Sequence, residues 1–317
     1  MNHLYRLIWN ASKHCWQVTS ERARGHVSQS GGSGAASAVT SASITQDIHP
    51  LKTLTALCLM ALAGLSSAVY AAPTGGAVTT GSANLSQNSN TTTINQNSQN
   101  VTIHWNTFSS AANEAIVFNQ PNSSAIALNR IIGSEASNLL GSLTANGQVF
   151  IINPNGILFG AGSQVNVGGL VASTLNLSDS DFNNGHYTFA NINNNNQGNI
   201  TNQGTITATT GGYVALLGKQ ISNQGNIVTP EGTSLLAAGD NISLNINNGS
   251  LVSYSVNQGT LNALAENKQL IRANSGTVIL TAQAANDIAT ATVNNTGIIE
   301  AQSLTHKNGT ILLLADM

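Results

Sequence analysis

The sequence predicts an all-β fold, a right-handed parallel β-helix (β-solenoid) with an N-terminal β cap. Three observations predict it. Short apolar strands recur behind Gly and Asn turns at a spacing near 20 residues, which is typical of a solenoid. Only 7% of the 317 residues are charged, against roughly 25% in an average soluble domain. Yet 41% are hydrophobic, so the chain has enough apolar surface to fold.

Residues 1–71 carry the features of an export signal. Lys52 precedes a mainly apolar run of 12 residues from Leu54 to Leu65, and Val69-Tyr70-Ala71 offers small residues before a cleavage point. The run is shorter than the roughly 20 residues that span a bilayer. We therefore favour a secretory signal over a membrane anchor, with cleavage after Ala71.

The composition beyond Ala71 limits the classes of partner and ligand. Both cysteines, Cys15 and Cys58, precede it, which suits passage through an oxidising periplasm without disulfides, although few cysteines are common in bacterial proteins. Five basic and ten acidic residues remain, so the net charge is 5 − 10 = −5. Because no basic patch survives, we expect no nucleic-acid partner.

Residues 72–100 are rich in Asn, Gln, Ser and Thr. Composition alone is typical of a linker. The alternating strand from Val101 to Trp105 follows directly, and terminal caps of stacked folds are polar and atypical. We therefore interpret this tract as the start of a β cap.

The stretch from Ala145 to Thr174 predicts short strands separated by sharp turns. Apolar runs from Val149 to Ile152 and from Ile157 to Phe159 flank Asn153-Pro154-Asn155-Gly156. Pro fixes φ at the second turn position, and Asn and Gly tolerate the positive φ needed afterwards. The chain is therefore expected to turn back tightly at this tetrapeptide.

Beyond Asn199 two units repeat. One unit, Asn-Gln-Gly before an apolar residue, begins at Asn202, Asn223 and Asn257, with a degenerate copy at Asn295. The other, Gly before an apolar strand, begins at Gly212, Gly232, Gly276 and Gly309. The first copies lie 225 − 204 = 21 and 232 − 212 = 20 residues apart. The 317 − 71 = 246 residues after the leader would give about 12 coils, fewer if loops are inserted.

The stacking geometry explains the low charge. Coils of a solenoid lie about 4.8 Å apart, so each side chain faces its counterpart on the next coil. Like charges repel at that distance, whereas Asn and Thr form hydrogen-bonded ladders and apolar residues stack inside. An uncharged polar surface therefore follows from the fold.

The motif Asn-Pro-Asn-Gly-Ile at Asn153 to Ile157 also carries a family resemblance. With Trp105, Phe108 and Gly168 to Thr174, it resembles the secretion (haemagglutination activity) domain of filamentous haemagglutinin-like and high-molecular-weight-adhesin-like exoproteins of two-partner secretion systems. The family's second motif, Asn-Pro-Asn-Leu, is absent, and Gln120-Pro121-Asn122-Ser123 is the nearest stretch. That absence favours the adhesin-like subgroup.

The first 25 residues resemble the extended signal-peptide region of large type V secreted proteins, at positions such as Tyr5-Arg6, Trp9-Asn10 and Trp16. The resulting domain assignment is an extended region (1–25), a spacer (26–50), a Sec signal (51–71) and a secretion β-helix (72–317). The chain stops directly after an apolar strand, and we expect the parent protein to continue further.

The resemblance implies a secreted adhesin-type exoprotein that folds at the cell surface. It passes the Sec translocon, is recognised by the periplasmic POTRA domains of an outer-membrane barrel transporter, and meets host-cell glycans or proteins outside. The implied secretion motif is Asn153, Pro154, Asn155, Gly156 and Ile157. A second candidate recognition region comprises Gln120, Pro121, Asn122, Asn129 and Arg130.

Two alternatives to a secretion domain stay open on the sequence. A polysaccharide-degrading β-helix enzyme needs clustered acids beside a base, and only Asp179 and Asp181 lie close together, with no basic residue within thirty positions. The other alternative is the N-terminal stalk of a contact-dependent toxin, which requires a longer gene.

The remaining candidate residues favour packing over chemistry. The mature histidines, His104, His186 and His306, have no metal-ligand spacing, and no catalytic spacing is present. We therefore expect no metal, no cofactor and no enzyme activity. The aromatic residues before the repeats are expected to form one core cluster near the cap; they are Trp105, Phe108, Phe118, Phe150 and Phe159.

Overall fold

The computed structural model describes residues 5–10, 15–20, 72–192, 198–286, 290–302 and 309–316. The chain divides into two units, Met1–Ser66 and Ser67–Met317. In the first unit, β1 (Tyr5–Asn10) and β2 (Cys15–Ser20) form an antiparallel hairpin. The spacer, the Sec signal and the cleavage site at Ala71 lie outside the described residues.

The second unit is built almost entirely of strands. The first twelve strands are β3 (Ala77–Thr80), β4 (Ala83–Asn88), β5 (Thr91–Gln96), β6 (Asn100–Trp105), β7 (Ala115–Asn119), β8 (Ile126–Ile131), β9 (Ser137–Leu139), β10 (Ser142–Ala145), β11 (Gln148–Ile152), β12 (Ile157–Phe159), β13 (Gln164–Ser173) and β14 (Asn176–Leu177). A short helix, α1 (Asp179–Asn183), precedes β15 (Tyr187–Ala190), β16 (Ile200–Asn202), β17 (Thr205–Gly218), β18 (Gln220–Asn223), β19 (Asn226–Val228), β20 (Thr233–Ala238) and β21 (Asn241–Asn247). The last strands are β22 (Ser250–Gln258), β23 (Ala263–Asn267), β24 (Leu270–Arg272), β25 (Thr277–Gln283), β26 (Ala291–Asn295), β27 (Ile298–Glu300) and β28 (Thr310–Asp316).

Parallel pairing arranges most strands into three stacks, which confirms the predicted parallel β-helix. Stack 1 contains β5, β7, β10, the first parts of β13 and β17, β19, β24 and β27. Stack 2 contains β6, β8, β11, the second parts of β13 and β17, β20, β25 and β28. Stack 3 contains β9, β12, β16, β18, β23 and β26. Each coil adds one strand to a stack.

The number of coils is lower than the estimate of about 12. Eight strands lie along each of stacks 1 and 2 in the part of the chain that the structure describes. Two segments leave the helix, β14 to β15 and β21 to β22, and they use residues that the estimate had assigned to coils.

The N-terminal β cap is also confirmed. β4 runs antiparallel to β5, and β3 runs antiparallel to β6. Both partners belong to the first coil of the helix, whose Ile94, Val101 and Trp105 are buried. The polar tract therefore supplies strands that cover the start of the helix.

Every second residue of each stack points into one continuous inner core. In stack 1, register places six fully or almost fully buried side chains in one column: Ile116, Leu143, Val165, Ile206, Ile227 and Ile271. Each methyl-bearing side chain thus packs on its counterpart one coil away, which accounts for the near-uniform Val, Ile and Leu content at these positions.

A buried asparagine ladder runs along the end of stack 3. Nδ2 of Asn202 donates to Oδ1 of Asn223, Asn223 donates to Asn267, and Asn267 to Asn295, each at 2.7 Å. The repeats predicted at Asn202, Asn223 and Asn295 are therefore real. The copy at Asn257 is wrong, because that residue lies in β22 outside the stacks and Asn267 takes its place.

The glycine repeat marks a corner where coils approach most closely. Gly212, Gly232 and Gly276 precede adjacent strands of stack 2. A Cβ built on Gly232 would lie 1.9 Å from the carbonyl oxygen of Gly212, and one on Gly276 would lie 2.1 Å from that of Gly232. No larger residue fits there without moving the backbone, which explains the repeated glycine.

The two excursions cover the outer face of stack 2. β14, β15, β21 and β22 form a four-stranded antiparallel sheet in that order, and a second apolar core lies between it and the helix. Phe150 belongs to this outer core, with its ring centroid 6.1 Å from Phe182 and 6.3 Å from Phe189. Placing Phe150 in the same cluster as Trp105 and Phe108 was therefore wrong, since alternate residues of β11 face opposite sides.

Tyr213 joins the outer core to the corner of stack 2. Its ring is fully buried, and its hydroxyl donates to Oε1 of Gln148 at 2.5 Å. Burial raises the pKa of this phenol well above its ordinary value, with a smaller contribution from Tyr187. The folded chain therefore holds the neutral phenol more strongly than the unfolded chain does.

The ladder predicts the effect of Asn223→Ala. The change removes the acceptor of Asn202 and the donor to Asn267, and each buried polar group left unpaired costs about 1–3 kcal/mol. We expect a loss of roughly 2–4 kcal/mol in urea denaturation of the secreted chain. The matched control is exposed Gln224→Ala, expected within about 0.5 kcal/mol of wild type. Equal effects of the two substitutions would contradict a structural role for the ladder.

Tyr213→Phe gives a pH-dependent prediction. At pH 7 the variant should unfold about 1 kcal/mol more easily, because Gln148 loses its donor. Since the folded-state pKa is raised, the phenol's contribution is complete below pH 10 and is lost as the pH rises above it. The two stability curves should therefore converge between pH 10 and 12. A wild-type advantage that stays constant over this range would refute the pKa assignment.

Candidate functional site

The Asn-Pro-Asn-Gly tetrapeptide forms the corner between β11 in stack 2 and β12 in stack 3. Pro154 is half-buried and Asn155 is exposed, whereas Asn153 has no exposed surface. Gly156 adopts a φ of 118°, and its amide donates to the carbonyl of Asn153 at 3.1 Å. The tight turn predicted from the sequence is present.

Asn153 connects this turn to the coil before it. Its Nδ2 donates to the carbonyl of Glu135 and to Oγ of Ser137, both at 3.0 Å. Its Oδ1 accepts from the backbone amide of Asn155 at 3.0 Å and from Nδ2 of Asn155 at 3.1 Å. Both ends of the buried amide are thus fully used within the fold, as a buried polar group requires.

The same turn also connects to the coil after it. The backbone amide of Asn153 donates to the carbonyl of Ser173 at 2.9 Å, and that of Ile157 donates to Asn199 at 3.0 Å. In return, the amide of Gly198 donates to the carbonyl of Pro154 at 3.0 Å. The motif therefore joins three successive coils.

Gln120 plays a comparable part at a different corner, between β7 in stack 1 and β8 in stack 2. Its Nε2 donates to Oε1 of Gln96 at 3.0 Å and to the carbonyl of Gln148 at 3.1 Å, which lie on the coils before and after. Its Oε1 accepts from the amide of Gly147 at 2.9 Å. Pro121 and Asn122 are exposed on the outside of this turn.

Asn129 is buried inside the wall rather than displayed on it. Its Oδ1 accepts from the indole Nε1 of Trp105 at 3.0 Å, and its Nδ2 donates to the carbonyl of Phe150 at 3.2 Å. The five residues of the second candidate region therefore do not form one surface. Gln120 and Asn129 are internal, and Pro121 and Asn122 lie at a corner.

Arg130 binds the first excursion to the helix wall. Its guanidinium contacts Oδ1 of Asp179 with an NH2 distance of 2.6 Å, and it also donates to Oδ1 of Asn176 and the carbonyl of Leu177. Nε2 of His104 lies 3.2 Å from Oδ2 of the same Asp179. The sequence reasoning missed this cluster, because β6, β8 and α1 are far apart in the chain and no local spacing signals their contact.

The acids considered for catalysis both have structural partners. Asp179 lies between Arg130 and His104, and Oδ2 of Asp181 accepts from Oγ of Ser178, the N-cap of α1, at 2.6 Å. His186 follows the helix and donates its backbone amide to the carbonyl of Asp181. His306 lies outside the described residues. Within the described ranges, no group of three or more His, Cys, Asp or Glu residues is placed to hold a metal ion.

Membrane insertion by a helix has no support among the residues that the structure describes. None of their helices is long and apolar enough to cross a bilayer. The short helix α1 has five residues.

Comparison with known families gives two matches that together cover most of the chain. The model of the TPS secretion domain matches residues 69–317. The model of the Extended Signal Peptide of Type V secretion system matches residues 1–46. The first match contains the whole β-helix, and the second contains the hairpin of the first unit.

Individual relatives agree with these families. A Heme/hemopexin-binding protein of Haemophilus influenzae (strain Rd) is 32% identical over 274 residues, which are 83% of this chain and 30% of that protein. A second Haemophilus influenzae protein of the same name is 30% identical over 67% of this chain and 25% of its own length. The chain thus spans less than a third of these relatives. The crystal structure of the HMW1 secretion domain from Haemophilus influenzae superposes with a TM-score of 0.68 at 30% identity, covering 77% of this chain and 64% of that one.

The geometry of the corner predicts unequal effects of its two asparagines. Asn153→Ala leaves the groups at Glu135, Ser137 and Asn155 without their partner, so we expect a loss of roughly 2–4 kcal/mol. Asn155→Ala removes contacts at an exposed position and should cost at most about 1 kcal/mol. Urea denaturation of both purified variants measures the difference. Similar losses in the two variants would show that burial of Asn153 is not what stabilises the corner.

Proposed function

The chain belongs to the TPS secretion domain family, and we propose that the periplasmic POTRA domains of its transporter recognise it in a nascent or unfolded form. A TPS domain with an extended signal peptide is exported through the periplasm to the cell surface or beyond. Its partner is a cognate outer-membrane transporter. The predicted adhesin-type exoprotein and its localisation are thereby confirmed.

Burial of the motif carries the proposal. In the folded chain the side chain of Asn153 has no exposed surface, and the amides of Asn153, Gly156 and Ile157 are all engaged with other coils. A transporter can read these groups only before the coils assemble. An unfolded, β-prone chain has free strand edges, and strand pairing with a POTRA domain is a suitable mode of recognition.

Folding outside the cell then removes the motif from the transporter. Each new coil buries polar and apolar groups against the previous one, as expected for a repeat structure. In this proposal, the 1–25 extended region and the 51–71 signal direct the chain to the Sec translocon, and removal of residues 1–71 leaves the β-helix as the first segment to emerge. The match of residues 1–46 to the extended signal peptide supports the first step.

We also infer that the domain has no catalytic role of its own. Its relatives are named for secretion or for heme and hemopexin binding, and Asp179 and Asp181 are held by structural partners. Binding of a host glycan or protein, or of heme or hemopexin as in the relatives' name, is assigned to other parts of the full exoprotein. No observation favours the toxin stalk over this assignment.

Secretion of exposed-site variants tests direct recognition. The wild-type chain should reach the medium only in cells that contain the transporter. Pro154→Ala/Asn155→Ala should reduce secretion at least fivefold while leaving the unfolding midpoint near that of wild type, because these residues are accessible and contribute little to the buried network. The matched control is Pro121→Ala/Asn122→Ala at the other exposed corner. Wild-type secretion of the Pro154/Asn155 variant, with a defect only in Asn153→Ala, would mean that the motif acts solely through folding.

A further inference from the structure

The outer sheet ends in a long strand with a free edge. β22 spans nine residues and is the last strand in the order β14, β15, β21, β22, whereas β14 at the other edge has only two residues. Natural edge strands are usually protected by charged side chains or proline. The sequence from Asn241 to Ala265 contains no charged residue and no proline.

The surface beyond this edge is apolar. Val278 and Leu280 belong to the inner core, so Ile279 of β25 and its register partner Leu312 of β28 point outward. Leu312 is 39% exposed and the neighbouring Leu314 is 46% exposed. The outer face of stack 2 therefore continues past the point where its covering sheet stops.

The edge strand is self-complementary in sequence. Val252-Ser253-Tyr254-Ser255-Val256 reads the same in both directions. If two copies pair antiparallel about Tyr254, Val252 lies opposite Val256 and Ser253 lies opposite Ser255. The register irregularities between β21 and β22 fall next to Val252 and Asn257, so the residues between them form the regular part of the edge.

We propose that two copies of the folded chain associate through β22, forming a continuous eight-stranded antiparallel sheet. This is an isologous interface, in which the same strand serves on both sides of a two-fold axis. The strand of the second copy would extend the covering sheet toward Ile279 and Leu312 and pair the open edge.

Charge is compatible with this arrangement despite the net charge of each copy. The acid nearest to the strand in the hydrogen-bond network is Asp240, whose backbone amide donates to the carbonyl of Gln258 at the end of β22. Antiparallel pairing about Tyr254 places the two Gln258 ends, and so the two Asp240 residues, at opposite ends of the pair. No like charges face each other across the edge.

The occupant is a second copy rather than an unrelated strand because the palindrome has no other use within the fold. Strand addition by another protein would need only a free edge and would not depend on which residue of β22 lies opposite which. The proposed pairing depends on it, and this difference gives the test its specificity.

The experiment compares charge pairs by analytical ultracentrifugation of the secreted full chain. Wild type should show a concentration-dependent dimer. Ser253→Lys/Ser255→Lys places Lys opposite Lys at two points and should raise the dimer dissociation constant at least about tenfold. Ser253→Lys/Ser255→Glu places Lys opposite Glu and should retain the dimer. The matched control, Gln164→Lys/Asn166→Lys on the exposed face of stack 1, should associate like wild type.

Three outcomes would overturn the proposal. Wild type that stays monomeric up to about 100 μM would exclude a dimer of useful affinity. Equal weakening by Lys/Lys and Lys/Glu would exclude the register about Tyr254. Unchanged association in both variants would place the interface elsewhere. Circular dichroism of each variant verifies that the outer sheet is folded, and the secretion assay reports separately on transporter recognition.

Discussion

Registered stacking of coils is the constraint on which the rest of this structure depends. Strands in adjacent coils lie about 4.8 Å apart, so any group on one coil must be compatible with the same position on the next. The apolar columns, the asparagine ladder and the stacked glycines all satisfy this requirement. The nearly uncharged composition follows from it, because like charges at that spacing repel while amides pair.

The same constraint gives the secretion motif two successive environments. In the folded chain Asn153 acts as a cross-coil connector, with partners on the coil before and on the coil after. Before folding, the same groups are free to pair with another protein. Gln120 repeats the arrangement at another corner. A residue that is essential for folding and a residue that is recognised by a transporter can therefore be the same residue, at different times.

The sequence predicted what is local or periodic, and it failed where the chain leaves its period. Strands, the cap and the turn at Asn153 were predictable because alternation and turn chemistry act over a few residues. Asn257 was wrongly assigned to the ladder because the hairpin of β21 and β22 contains a chance copy of the repeat, while Asn267 is followed by Lys and lacks the expected Gly. The contact of Arg130 with Asp179 joins distant segments, and no local pattern encodes it.

Hydrogen exchange of the secreted chain tests most directly whether the corner holds successive coils together. Asn153→Ala should lower the protection of amides in the turn and also in the neighbouring coils, around Ser137 and Ile200, while β24 and β25 remain as in wild type. Such spread follows from hydrogen bonds that cross between coils. Loss of protection confined to residues 153–157 would contradict the account, because the turn would then be a local feature.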